Sequence, residues 1–506
     1  MRILKKVAFI ILIAALILPL LQACASQEGG GAAADKNDDP GENGFAAGGD
    51  DFTDTADPKA DKWKRDPINL PESDLKGREF RVITVQVTDA NRMYDKFSVD
   101  EETGEPVNDG LYKRRLGVEE KFNITMKTTP STAAADTVKK SVAAGDDSFD
   151  LVVDTISNIK NLASQKNLAD LFSVPYIKDD LDKSWWDQAI IRDLAIGGRL
   201  YFQAGDIVLR DKLRLSCLYF NKDMCKTMGI DYPYQYVYDG VWTIDKLMEI
   251  TRGVNKDLDG NGVMDEYDQW GFMSQHEFGL HLFEASGETM VKLNSGGVPE
   301  ITMNTPRAFD VIQKALAVCL EPEAMFMADT IKGSSDIWIQ ASAYFQENRF
   351  LMRASVFEAV PRDLRAMETD FGVLPTPKFN EQQENYYTYV EQSGLSIGLP
   401  TNADLEFAGL ITEALAYESG TTLMPAFYDL CLTSKVLRDN ESEGMLDIIF
   451  NNKVYDIGYI YGIGSLPSML NNMVSTKKVD FSSQFEKSQG SIEKALDKFI
   501  ENYDRD

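Results

Sequence analysis

From residue 77 onward, short apolar runs alternate with segments whose apolar residues recur every three or four positions. GREFRVITV (77–85), with apolar residues at 80, 82 and 85, predicts a strand. Residues 107–121 read as a helix capped by Asn108. FDLVVD (149–154) is a continuously apolar strand entering an acidic turn, followed by a helical segment through Leu162, Leu168 and Leu171. A second apolar strand, 215–220, leads directly into 221–230. Thr243 then caps a helix whose buried face is Ile244, Leu247, Met248 and Thr251. Residues 371–377 and 394–400 predict strands stopped by prolines. Thr401 and Asn402 are placed to cap the helix carrying Phe407, Leu410, Ile411, Ala414 and Leu415, and a last helix covers 482–503. Strands alternating with helices at this spacing predict an α/β protein with parallel sheet. Residues 77–506 exceed the size at which one core normally stops growing, so two lobes are expected.

The N-terminal pattern differs. Arg2, Lys5 and Lys6 precede an apolar run from 7 to 21, too short to span a bilayer and suited to a signal peptide. It ends Leu21-Gln22-Ala23-Cys24, which resembles a bacterial lipobox, so 1–24 is expected to be a lipoprotein signal ending in a lipidated (palmitate-bearing) Cys24. Residues 25–70 are mostly Gly, Ala, Asp and Pro, too poor in apolar residues to offset ordering entropy, and predict a disordered tether. The protein is thus expected outside the cytoplasm, attached to the membrane only by its anchor. The net charge of −28 argues against nucleic acid and anionic lipid surfaces as partners. Cys217, Cys225, Cys319 and Cys431 lie in apolar surroundings, and both disulfides and buried free thiols are open to them.

KDLDGNGVMDEYDQWGF (256–272) concentrates acidic residues and glycines ahead of a tryptophan. It fits the twelve-residue EF-hand pattern: oxygen side chains at Asp257, Asp259, Asn261 and Asp265, a turn glycine at Gly262, and the backbone carbonyl of Val263. Position twelve is Asp268 in place of the usual bidentate Glu, with Glu266 at position ten able to serve instead. Hard oxygen donors in this number predict Ca²⁺. A single loop, followed by a strand-like QWGF, points to a structural role.

Several segments in order resemble the bacterial extracellular solute-binding proteins of family 1, the sugar-binding lipoproteins of ABC importers. They are FDLVVDT with NLADLF, LYFNKDMCKTMGI, VWTIDKLMEIT, FQENRFLMRASVFEAV, DFGVLPTPK and LSIGLPTNADLEFAGLITEALA. The resemblance implies the type II periplasmic-binding-protein fold, two α/β lobes joined by a multi-strand hinge with a ligand cleft between them. It places 77–212 and 388–430 in lobe 1, and 213–387 and 431–505 in lobe 2, with the calcium loop (257–268) in the second. It implies a carbohydrate ligand, ABC permease subunits as partners and a monomer.

The ligand candidates follow from the family's strand-to-helix turns. They are Asp154, Thr155, Ser157 and Asn158 after FDLVV; Phe357 and Glu358 in ASVFEA; and Trp186, Asp206, Trp242, Trp270 and Tyr387. Arg214 stands where a relative places an acid, which admits a ligand with a negative group. Aromatic faces for sugar C–H surfaces and planar polar side chains for hydroxyls are the chemistry such a cleft needs.

Catalysis finds less support. The two histidines, His276 and His281, miss the spacing of a helical zinc pair, and no nucleophile elbow or phosphate loop occurs. An extracellular carbohydrate-active hydrolase, which needs only two carboxylates, and a surface-anchored binding or adhesion protein are the alternatives to a non-enzymatic carrier.

Overall fold

The computed structural model describes residues 63–87, 93–334, 336–433 and 440–504. Cys24 and the signal segment lie outside the described residues, as does the tether up to 62.

Among the described residues, thirteen strands appear in chain order. They are β1 (Arg78–Val85), β2 (Ile124–Ser131), β3 (Leu151–Thr155), β4 (Ser216–Asn221), β5 (Trp270–Ser274), β6 (Val291–Leu293), β7 (Pro299–Ile301), β8 (Met325–Met327), β9 (Phe350–Val356), β10 (Phe371–Pro375), β11 (Thr388–Tyr389), β12 (Leu395–Gly398) and β13 (Lys453–Val454). The first sheet has the order β12-β3-β1-β2 and the second β10-β4-β9-β5-β8. In the first, β1 runs parallel to β2 and β3, while β12 returns antiparallel along β3. In the second, β5 is parallel to β8 and β9, and β4 is antiparallel to β9 and β10. The chain therefore builds most of one α/β lobe, then the whole second sheet, and comes back to finish the first. Both sheets carry near-continuous apolar strands, as expected where helices cover both faces; β4 and β10 are buried at every position.

The return passage is stitched to the outward one. Leu215 bridges Val390 antiparallel, the amide of Glu391 donates to the Arg214 carbonyl at 2.9 Å, and β11 pairs in parallel with β13. Three crossing segments side by side make the multi-strand hinge. Beneath it lies a buried charge cluster in which Lys453 holds both Asp187 and Asp211.

Local signals mostly act as read. Thr243 caps Ile244–Thr251 through its side chain, and the last helix is Phe481–Asp504. Three expectations need correction. The cap of Pro106–Phe122 is Glu105, whose carboxylate accepts from the Asn108 amide at 2.8 Å, because Pro106 starts the helix earlier. Asp404, rather than Thr401 or Asn402, accepts from the first turn of Leu405–Thr433. The helix after β3 stops at Ser164, and Leu168 and Leu171 are buried in irregular chain. The packed chain also begins before residue 70: Trp63 sits edge-on to Tyr428 at 4.8 Å and Arg65 pairs with Asp206 at 2.7 Å. All four described cysteines are buried. No helix of the described residues is long and apolar enough to cross a membrane.

Candidate functional site

Strands β5 and β9 run parallel and end at the same edge of the second sheet, where open α/β sheets hold their ligands. Past β5 the chain makes the polar turn Gln275-His276-Glu277 and enters the helix Phe278–Ala285. Past β9 it places Glu358. The hinge contributes Arg214, Tyr389 and Gln392, and the helix Ile337–Gln346 contributes Trp338 near its N-terminus. Together they enclose a cavity of about 460 Å³, within the range of small-molecule sites.

The polar groups fall into two sets. Arg214 donates to Glu358 and to Glu391, each at 2.9 Å, and Arg362 donates to Glu358 at 2.9 Å. These ions pair with one another, with Arg214 Nε left without an acceptor among the described residues. A second set is unsatisfied: Gln275 Nε2, Glu277 Oε2 and Asn471 Oδ1 are inaccessible to solvent and have no hydrogen-bond partner among the described residues. Gln275 is only 6% exposed. Buried polar atoms without partners are costly unless something else completes them. Burial also raises the Glu277 carboxyl above its usual range. Behind it, His276 bonds Asp329 at 2.6 Å, which raises the imidazole pKa.

Two aromatic surfaces bound the cavity. His281 stacks on Tyr389, and burial drives the imidazole pKa down to about 3, so the ring is neutral. Trp338 is 40% exposed, an unusual cost for so large an indole.

Of the residues singled out from sequence, Arg214 and Glu358 reach this cavity. Asp154 and Asn158 line a separate cavity of about 260 Å³ in the first lobe. There Asp154 accepts from the amides of Ala135 and Thr155 and from Asn158, while Thr155 and Ser157 bond each other. The aromatic candidates are packing residues. Trp242 is fully buried and donates to the Pro375 carbonyl at 2.9 Å. Trp186, with Trp185, donates to Glu413. Trp270 donates to the Asp265 carbonyl and leans on Phe326. Phe357 meets Phe450 edge-on beneath the cleft wall. Asp206 is taken up by Arg65. Tyr387 covers Gly287 and is outside the cavity lining. Sequence reasoning missed Gln275, Glu277, Trp338, Tyr389 and Asn471. The polar triplet directly after a buried strand was the available signal for the first two.

The acidic loop lies between the helix Ile244–Thr251 and β5, closed by a bridge between Lys256 and Gln269. Carboxylate oxygens of Asp257, Asp259 and Asp268 come within 4.8 Å of one another. Asp268 is fully buried and accepts from the amides of Leu258 and Asp265. Gly260 and Gly262 adopt φ of 72° and 78°, conformations that let the loop coil inward. Asn261 Oδ1 accepts from Val263, Asp265 from Tyr267, and the Glu266 carbonyl from Arg349. None of these residues lines the cleft.

No protein-family model matches the sequence, and no curated protein matches it. Solved structures do. A cyclo/maltodextrin-binding protein complexed with maltotetraose aligns at a TM-score of 0.54 and 16% identity, covering 85% of this chain and 97% of its own. This chain has the fold of the ABC-transporter sugar-binding proteins. UspC of M. tuberculosis aligns at a TM-score of 0.54 and 14% identity, over 82% of this chain and 100% of that one. An ABC substrate-binding protein of Listeria monocytogenes in complex with cycloalternan aligns at 0.50 and 13% identity, over 84% and 98%.

Proposed function

We propose that this protein is the substrate-binding component of an ABC importer, capturing a carbohydrate, an oligosaccharide by the size of the cleft, and delivering it to membrane permease subunits. The observation that supports this most is the convergence of Gln275 Nε2, Glu277 Oε2 and Asn471 Oδ1, atoms shut off from solvent and without hydrogen-bond partners among the described residues, on a hinge-side cavity flanked by Trp338 and Tyr389. Hydroxyls complete such donors and acceptors, and aromatic faces take sugar C–H surfaces. Maltotetraose and cycloalternan, held by proteins of the same fold, are ligands of this chemistry. Hinge closure over the ligand would present the closed form to the permease.

The carrier works as a monomer, outside the cytoplasm, tethered by a lipid on Cys24. Binding without catalysis fits the cleft carboxylates: Glu358 and Glu391 are engaged by Arg214, an arrangement unlike an acid–base pair poised over a glycosidic bond. The acidic loop would hold Ca²⁺ through Asp257, Asp259 and Asp268, with Asn261, Val263, Asp265 and Glu266 on the same turn. The hard oxygen donor set fits that ion, and its role is to neutralise and pin the loop.

Melting the purified protein against a panel of oligosaccharides tests the reading. A saccharide-specific rise in Tm with the sugar recovered intact supports it; new reducing ends would move the protein to the hydrolases.

A further inference from the structure

The wall of the cleft offers no free positive charge. Two guanidiniums line it, Arg214 and Arg362, against four carboxyl groups, Glu277, Asp336, Glu358 and Glu391. Glu358 lies between the arginines and accepts from each at 2.9 Å. The other end of Arg214 is bound to Glu391 at 2.9 Å, and Arg362 forks onto Asp363 at 2.7 and 2.8 Å. The Glu358 side chain is 4% exposed, so solvent screens these charges poorly. Nearby cations are engaged too: His276 with Asp329 at 2.6 Å, and Lys160 with Gln392 Oε1 at 3.0 Å. His281 is neutral. Even with Glu277 protonated, the remaining carboxylates outnumber the guanidiniums.

What the cavity leaves unmet is hydrogen bonding: two donors, the Gln275 amide and Arg214 Nε, and two acceptors, on Glu277 and Asn471. A hydroxyl both donates and accepts, and so can serve either kind. A carboxylate or phosphate could use only the donors and would leave both acceptors unmet, while facing carboxylates in excess.

We propose that the cleft selects uncharged saccharides, and that Glu358 is the specificity-determining residue. By neutralising Arg214 and Arg362 together, it turns a site that would attract uronates and sugar phosphates into one that repels them. The sequence alone, with Arg214 in view and its partners out of view, left a negatively charged ligand open. This inference rests on the carbohydrate-capture reading above, and names the class within it.

The test is calorimetric titration of the intact protein with matched pairs. These are galacto-oligosaccharides against oligogalacturonates, xylo-oligosaccharides against their glucuronate-bearing forms, and glucose against glucose 6-phosphate. The wild-type protein is expected to bind the neutral member of its preferred pair about tenfold or more tightly, the effect of one charge near an uncompensated carboxylate. Glu358→Gln should shrink or invert that ratio. Glu391→Gln, at a more exposed position, should move it the same way in a protein whose fold is not at risk. An acidic member bound by wild type as tightly as its neutral partner overturns the inference while leaving carbohydrate capture intact. So does a ratio that neither variant moves. Binding of neither series overturns the capture reading itself.

Discussion

The imidazole of His281 lies on the ring of Tyr389, with centroids 4.3 Å apart and planes inclined by 24°. The contact joins a helix of the second sheet's lobe to a hinge strand at the back of the cleft. It depends on an uncharged ring, and burial supplies one by pushing the pKa down to about 3. An unfolded histidine titrates near 6.5. Between those values the unfolded chain binds a proton that the folded chain refuses. Stability from this group is therefore complete above about pH 6.5 and is lost as pH falls towards 3. His281→Phe should keep the stack and flatten the acid side of the Tm–pH curve; an unchanged acid slope would show that the imidazole is not buried neutral.

Glu413 gives a slope of opposite origin. Both indole N–H groups of Trp185 and Trp186 donate to it, at 2.7 and 3.0 Å, yet desolvation raises its pKa to about 8. The folded state holds a proton that the unfolded state releases near pH 4.5, so this contribution is full below that pH and lost as pH rises through about 8. Glu413→Gln should remove that alkaline loss. Glu413→Ala leaves two buried donors unpaired and should cost about 2–5 kcal/mol by chemical denaturation.

Trp338 and Trp242 should respond in opposite ways to truncation. Trp242→Ala opens a hole in a closed core and should cost about 3–5 kcal/mol of stability. Trp338→Ala removes a ring that is already 40% exposed; it should change stability by about 0.5 kcal/mol or less and weaken saccharide binding about tenfold. Denaturant midpoints and calorimetric titration separate the two effects.

Chelation should act on the acidic loop and spare the cleft. Removing Ca²⁺, or replacing Asp257 and Asp259 with Ala, should lower the Tm by several degrees, as expected for loss of a ligand bound only by the folded state, with saccharide affinity unchanged below that Tm. An affinity that collapses while the fold persists would assign the ion to the ligand site.

The fold was legible because its signals are local. Thr243 announces its helix, FDLVV is too apolar for anything but an interior strand, and Pro106 could have corrected Asn108, since proline favours the first helical turn. The cleft was less legible because its residues are assembled from distant segments. Arg214 read as a free cation until the fold brought Glu358 and Glu391 to it. Tryptophans at strand ends looked like platforms, yet Trp186, Trp242 and Trp270 each found an acceptor for the indole N–H within the fold, something their sequence neighbours do not encode. Gln275 stood out only once its amide was seen to lack a partner.

Titrating the tightest saccharide from the panel into wild type and Gln275→Ala tests the central claim most directly. Gln275 is predicted to contribute a buried donor that only ligand completes, so the variant should bind about ten- to a hundredfold more weakly with an apo Tm equal to or above that of wild type. Unchanged affinity in a folded Gln275→Ala protein would contradict it and place the ligand elsewhere.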